Sequence, residues 1–101
     1  MDDYQIEILP IAQKDMHEMV AYLNNFNSNT ALSMYDEIIT SIFSLKKFPN
    51  KQPQADIPIL KAKGYRYLRV KRYLVFFVVA DKKVQIRRVL HEKRNYKSIL
   101  S

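Results

Sequence analysis

The chain has 101 residues, 48% of them hydrophobic, with a net charge of +7, one glycine and no cysteine. That length gives one domain (residues 1–101) with a modest core, and the apolar content is that of a globular chain and not of a disordered tail. The lack of cysteine excludes disulfides, cysteine–zinc sites and thiol nucleophiles and fits a reducing compartment, and with only two histidines no metal or cofactor is expected.

Residues Tyr4–Leu9 alternate, with Tyr4, Ile6 and Ile8 on one side, as in a half-buried strand that Pro10 ends. A helix follows, its stripe formed by Ala12, Met16, Met19, Val20 and Leu23, and asparagines at 24, 25, 27 and 29 break it. His17 lies in polar sequence and reads as surface. A second helix runs from about Thr30 to Lys47 on the stripe Ala31, Met34, Ile38, Ile42 and Leu45, with Lys46 and Lys47 in its last turn, where cations suit the helix dipole. The methionines at 16, 19 and 34 are core by this reading. Residues 49–60, with three prolines, read as an extended loop.

From Gly64 the period becomes strand-like. Leu68 and Val70 point one way while Tyr65, Tyr67, Arg69 and Lys71 point the other. Tyr73–Ala80 is apolar on both faces, as in a central strand. Asp81-Lys82-Lys83 is a turn, and Val84–Leu90 is the last strand, with Val84 and Ile86 on one side and Gln85, Arg87, Val89 and His91 on the other. The tail is basic, and its Ile99-Leu100 end can tuck onto the core. The order β-α-α-β-β-β predicts an α+β domain with two N-terminal helices packed on one face of an antiparallel sheet. The longest apolar run, Leu74–Ala80, is too short to span a bilayer, and the start, with Asp2 and Asp3, lacks a secretory h-region. A soluble cytoplasmic protein with no membrane contact is expected.

Charge is divided by position. Residues 1–60 carry four basic and eight acidic residues, a net of −4, whereas residues 61–101 carry thirteen basic residues against Asp81 and Glu92, a net of +11. A field of that kind draws polyanions, and nucleic acid is the commonest. If the helices cover the Leu68/Val70 face, the opposite face presents Tyr65, Tyr67, Arg69, Lys71, Arg87 and His91, rimmed by Lys61, Lys63, Arg66 and Arg72. Cations suit phosphates and tyrosine rings suit unstacked bases, so Lys61, Lys63, Arg66, Tyr67, Lys71, Arg72 and Arg87 are the candidate RNA-binding set; a solvated sheet face is the plainer alternative. His91, Arg94 and Tyr96 follow the last strand. Cleavage of RNA by its 2′-hydroxyl needs a base, a cation for the phosphorane and an acid, roles these three side chains can fill without a metal. A histidine near a strand end is equally a capping or half-buried group, and Tyr96 is equally a hydrophobic anchor. One glycine excludes a phosphate-binding loop, the serines lack a nucleophile-elbow context, and the pairs Asp2-Asp3 and Asp36-Glu37 read as solubilising charge.

Across essentially its whole length the chain resembles the RelE/ParE superfamily of toxins from bacterial and archaeal type II toxin–antitoxin systems. The likeness is carried by Leu9-Pro10-Ile11-Ala12 with Asp15, by Leu45-Lys46-Lys47-Phe48-Pro49, by Tyr67-Leu68-Arg69-Val70 and Tyr73–Val79, and by Val84–His91 followed by Lys93-Arg94, in that order and spacing. The resemblance implies a toxin held in a hetero-oligomer with a cognate antitoxin, commonly acidic and ordered on binding. RelE-type members cut mRNA on the ribosome, which stops translation and growth; ParE-type members act on DNA gyrase. By position, Arg69 matches a strand cation of RelE-like toxins, Tyr96 their C-terminal tyrosine, and Arg94 a tail arginine of both branches. The expectation is a ribosome-dependent mRNA endoribonuclease with Arg69, His91, Arg94 and Tyr96 as catalytic residues, the alternatives being a gyrase inhibitor and a decayed toxin that binds only its antitoxin. Leu74, Glu92 and Tyr67 depart from the RelE pattern, at positions where an arginine, a basic residue and a lysine are usual.

Overall fold

The computed structural model describes residues 3–101. Its elements are β1 (Gln5–Ile8), α1 (Pro10–Asn24), α2 (Ser28–Ser44), α3 (Pro58–Ala62), β2 (Arg66–Val70), β3 (Tyr73–Ala80), β4 (Lys83–His91) and α4 (Tyr96–Leu100), with a 3-10 turn at Pro49–Lys51. Asp2 of the acidic start lies outside the described residues. Pro10 opens α1 at a position with no helical N–H to lose. The side chain of Asn27 caps α2 by accepting from the backbone N–H groups of Asn29 at 2.9 Å and Thr30 at 3.1 Å. α2 ends at Ser44, short of the expected Lys47, so Lys46 and Lys47 lie in the turn beyond it.

The sheet order is β1-β4-β3-β2. β2, β3 and β4 form the antiparallel meander, and β1 joins the far edge parallel to β4, pairing Gln5 with Lys83 through Ile8 with Ile86. The sheet is therefore antiparallel in three strands and parallel at one edge. Positive φ at Asp81 (53°) and Lys82 (62°) gives the β3–β4 hairpin a turn that follows the strand twist.

α1 and α2 cover one face. Ala12, Met16, Met19, Met34, Ile38 and Ile42 meet Val70, Val75, Phe77, Val84, Ile86 and Val89 in the main core. Burial of each large side chain there is worth about 1.5–3 kcal/mol. The expected methionine core positions hold, and His17 is exposed.

The opposite face is not free, in contrast to the expectation. Tyr65, Leu74, Phe76 and Leu90 form a second core with Ala55, Leu60 and Leu100, with Tyr67 and Tyr96 packed against it. The loop before β2 and the C-terminal tail supply the cover: α3 brings Leu60 and α4 brings Leu100, as the apolar tail suggested. Tyr65 is thus a core residue at 6% exposure.

A β-bulge corrects a second expectation. Phe76 pairs with Arg88 and Phe77 with Ile86, so Arg87 has no partner across β3. One extra residue reverses the alternation beyond it. Val89 joins Val84 and Ile86 in the helix-facing core, and His91 packs edge-on to Tyr73 at 5.3 Å instead of sharing a face with Arg87.

Candidate functional site

The cationic tail residues and the β2–β3 hairpin meet at the C-terminal end of β4. Glu92, the first residue past β4, closes this region. Its carboxylate accepts from Arg69 Nη1 at 2.6 Å and from Arg72 Nη1 at 3.0 Å, and its backbone N–H donates to the Arg72 carbonyl at 2.8 Å. The Arg69 guanidinium, with Arg72 beside it, holds the Glu92 carboxyl below the usual carboxylate range. Two expected phosphate-binding cations are thus engaged within the molecule by a residue that departs from the RelE pattern.

The four candidate catalytic residues lie in two cavities. His91 and Arg94 line one of about 480 Å³ on the α1 side, with Asp15, Glu18, Tyr22 and Tyr73. His91 Nδ1 accepts from the Lys93 backbone N–H at 3.1 Å, which leaves Nε2 as the ring's outward nitrogen. Burial, with Tyr22 nearby, raises the Tyr73 hydroxyl above its ordinary pKa, so it stays neutral. Arg69 and Tyr96 line the other cavity, of about 230 Å³, over the second core with Tyr67, Asp56, Leu74 and Phe76. The Tyr96 ring lies 5.2 Å from that of Phe76, so Tyr96 anchors the tail as well as lining this cavity.

The other RNA-binding candidates are spread over the surface. Lys71 pairs with Glu37 of α2 at 3.4 Å. Arg66 donates to the Gln52 carbonyl at 2.7 Å, and Arg87 is bonded to Gln85 Oε1 with its guanidinium 5.9 Å from the Tyr65 ring. Lys63 Nζ stands 3.5 Å from the Leu100 carbonyl, and Lys61 is exposed on α3.

Asp15 and Arg88 form a tie that periodicity and spacing do not reveal. Arg88 Nε and Nη2 donate to the two Asp15 oxygens at 2.8 and 2.9 Å, and the Val89 N–H donates to the same carboxylate at 2.9 Å. The bond to Asp15 raises the Arg88 pKa above its already high value. This bidentate pair joins α1 to β4 just past the bulge and fixes the wall of the His91 cavity. Its sequence signal was the presence of both residues in the segments that carry the family likeness. Among the described residues no His/Asp/Glu group has the arrangement to hold a metal ion, and no helix is long and apolar enough to cross a membrane.

A helix pair on a sheet led by an edge strand, with a basic tail beyond β4, is the build of a RelE/ParE superfamily toxin. The family profile of the ParE toxin of type II toxin–antitoxin systems (parDE) matches residues 6–96, and the chain belongs to that family. The structure is similar to one solved for the chromosomal ParDE TA system from P. aeruginosa, with a TM-score of 0.73 and 19% identity over 87% of this chain and 95% of that one. No match is found among curated proteins.

Proposed function

We propose that this toxin acts by binding and not by cutting RNA, and that its target is DNA gyrase, as in ParE-type toxins. The observation that supports this reading is that the four candidate catalytic groups do not line one cavity: His91 and Arg94 line one on the α1 side, Arg69 and Tyr96 another over the second core. General acid–base cleavage needs the base, the acid and the phosphate-stabilising cation around one scissile bond. Leu74 is 5% exposed within the second core, so the position of a RelE-type arginine is given to packing. The test has two arms. Purified toxin is added to a gyrase supercoiling assay, and cellular mRNAs are mapped by primer extension after induction without antitoxin. Inhibited supercoiling with intact mRNA is expected; translation-dependent cuts within reading frames would overturn the reading.

Ribosome-dependent mRNA cleavage is the second reading, favoured by one observation: Arg69 and Tyr96 share a cavity with Tyr67. Tyr96 would then serve as acid or base, Arg69 would stabilise the phosphorane, and the basic surface would hold ribosomal RNA and mRNA. Tyr96→Phe would abolish cutting under this reading and leave gyrase inhibition intact under the first.

The neutralising partner is a cognate acidic antitoxin that forms a hetero-oligomer with the toxin. Its apolar segment would lie on the helix pair, where Tyr22, Phe26 and Leu32 are 61%, 72% and 60% exposed. Tyr22→Ser/Phe26→Ser should break co-purification with the antitoxin and leave the fold unchanged.

A further inference from the structure

A cleft of about 310 Å³ lies at the other end of the molecule, where the start of β1, the turn after α2 and the β3–β4 hairpin meet. Lys82 in that hairpin precedes the first residue of β4 and His91 is its last, so the strand's length, about 25 Å, separates the cleft from the His91 cavity. Tyr4, Phe48 and four lysines, at positions 46, 47, 51 and 82, line it. Three of those lysines belong to the acidic portion of the sequence, and the fold gathers them.

Among the described residues, the positive charge in the cleft is only partly compensated. Asp3 pairs with Lys47 at 3.1 Å. Among the described residues Lys46, Lys51 and Lys82 have no carboxylate within ion-pair distance. Instead, Lys46 Nζ lies 5.2 Å from the ring centre of Phe43 at the cleft's edge, Lys51 Nζ 4.7 Å from that of Phe48 and Lys82 Nζ 4.7 Å from that of Tyr4. Asn50 Nδ2 stands 3.5 Å from the Tyr4 hydroxyl, at the cleft wall.

Phe48 adds an independent observation. Its backbone is left-handed, with φ 54° and ψ 47°, a region that bulky residues avoid, and Pro49 disfavours helical backbone at the preceding residue as well. Burial does not account for this conformation, because Phe48 is 59% exposed while Pro49 behind it is buried. The strained residue leaves an aromatic ring lining the cleft beside the ammonium groups of Lys51 and Lys82.

We propose that this cleft binds a nucleotide unit, its phosphate among Lys46, Lys51 and Lys82 and its unstacked base on the face of the Phe48 ring that Lys51 leaves open. Ammonium groups supply the phosphate contacts, the exposed ring supplies a sequence-tolerant stacking platform, and the volume is near the lower limit for a small-molecule pocket. The same chemistry serves a free nucleotide or one residue of a single strand. The site is independent of the toxin's target and would stand under either reading above.

The test is fluorescence anisotropy of the full chain with a labelled single strand of about 12 nucleotides at about 0.1 M salt. Lys46→Glu/Lys51→Glu is expected to weaken binding about tenfold or more and to flatten the salt dependence. Phe48→Gly removes the ring and suits the left-handed backbone, so it tests stacking without strain; about tenfold loss is expected. Equal losses from the cleft pair and from Lys61→Glu/Lys63→Glu would reduce the cleft to part of the general basic field and overturn the proposal. So would unchanged binding by Phe48→Gly, or a duplex that binds as tightly as the single strand. Competition by ATP at the strand's own affinity would identify a free-nucleotide site, and affinity that grows with strand length a single-strand site.

Discussion

The two faces of the sheet are closed by different means. On one, α1 and α2 lay long continuous stripes over Val75, Phe77 and Ile86, with Ile38, Ile42 and Phe77 at 0% exposure. On the other, α3 and α4, each five residues long, bring a few anchors, Leu60 from one and Leu100 with Tyr96 from the other, onto Tyr65, Leu74 and Phe76. Helices that short have no stability of their own and exist only because they dock. The first face is therefore where the fold is held. The second combines packing with the cavity of Arg69 and Tyr96, and its cover is the part of the molecule able to open locally.

Substitution in each core tests that contrast. Phe77→Ala in the main core is expected to cost about 4 kcal/mol, a large share of the stability of a domain of this size, read from urea unfolding. Asp15→Asn comes next, at about 3 kcal/mol, because it leaves the half-buried Arg88 charge without its carboxylate and weakens the bond to the Val89 N–H. Arg88→Met in the Asp15→Asn background should recover part of that loss, since an apolar side chain leaves no charge unpaired. Leu100→Ala is expected to cost less, about 2 kcal/mol, with faster amide exchange confined to the tail and to residues around Tyr65. If Leu100→Ala destabilised as much as Phe77→Ala and accelerated exchange throughout, the two faces would form one cooperative unit and the contrast would fail.

The same contrast separates what the sequence made legible from what it hid. The helix pair and strands declare themselves by period, and Met16, Met19, Ile38 and Ile42 fall on the expected stripes. β2 also alternates as expected, with Leu68 and Val70 toward the helices. Alternation assigns a side, however, and says nothing of what covers it, so Tyr65 and Tyr67 read as an open binding face although α3 and α4 cover them. The bulge at Arg87 is a register event between β3 and β4, invisible in either strand alone, and it leaves His91 on the α1 side, apart from Arg69 and Tyr96. Lys46 and Lys82 are far apart in sequence; only the pairing of β1 with β4 brings them to one cleft. Regular patterns record local periodicity, while the candidate sites arise where elements end and meet.

The smallest expected effect tests whether Glu92 restrains the basic end of β4. Its carboxyl is held below the usual glutamate value of 4.5, first by the bond from Arg69 and then by that from Arg72. Between the folded and unfolded pKa values the unfolded chain binds more protons, so the Glu92 contribution is fully present above the unfolded value and is lost as pH falls through the depressed folded value. Wild type and Glu92→Gln should therefore differ slightly in unfolding midpoint at neutral pH, and their curves should converge once the pH is below the folded pKa. A carboxyl titration followed by NMR would give that pKa directly. A normal midpoint, or a difference between the two proteins that persists in acid, would mean that Glu92 does not hold Arg69 and Arg72 in solution. Both cations would then be free for a phosphate, and the RNA reading would gain a support.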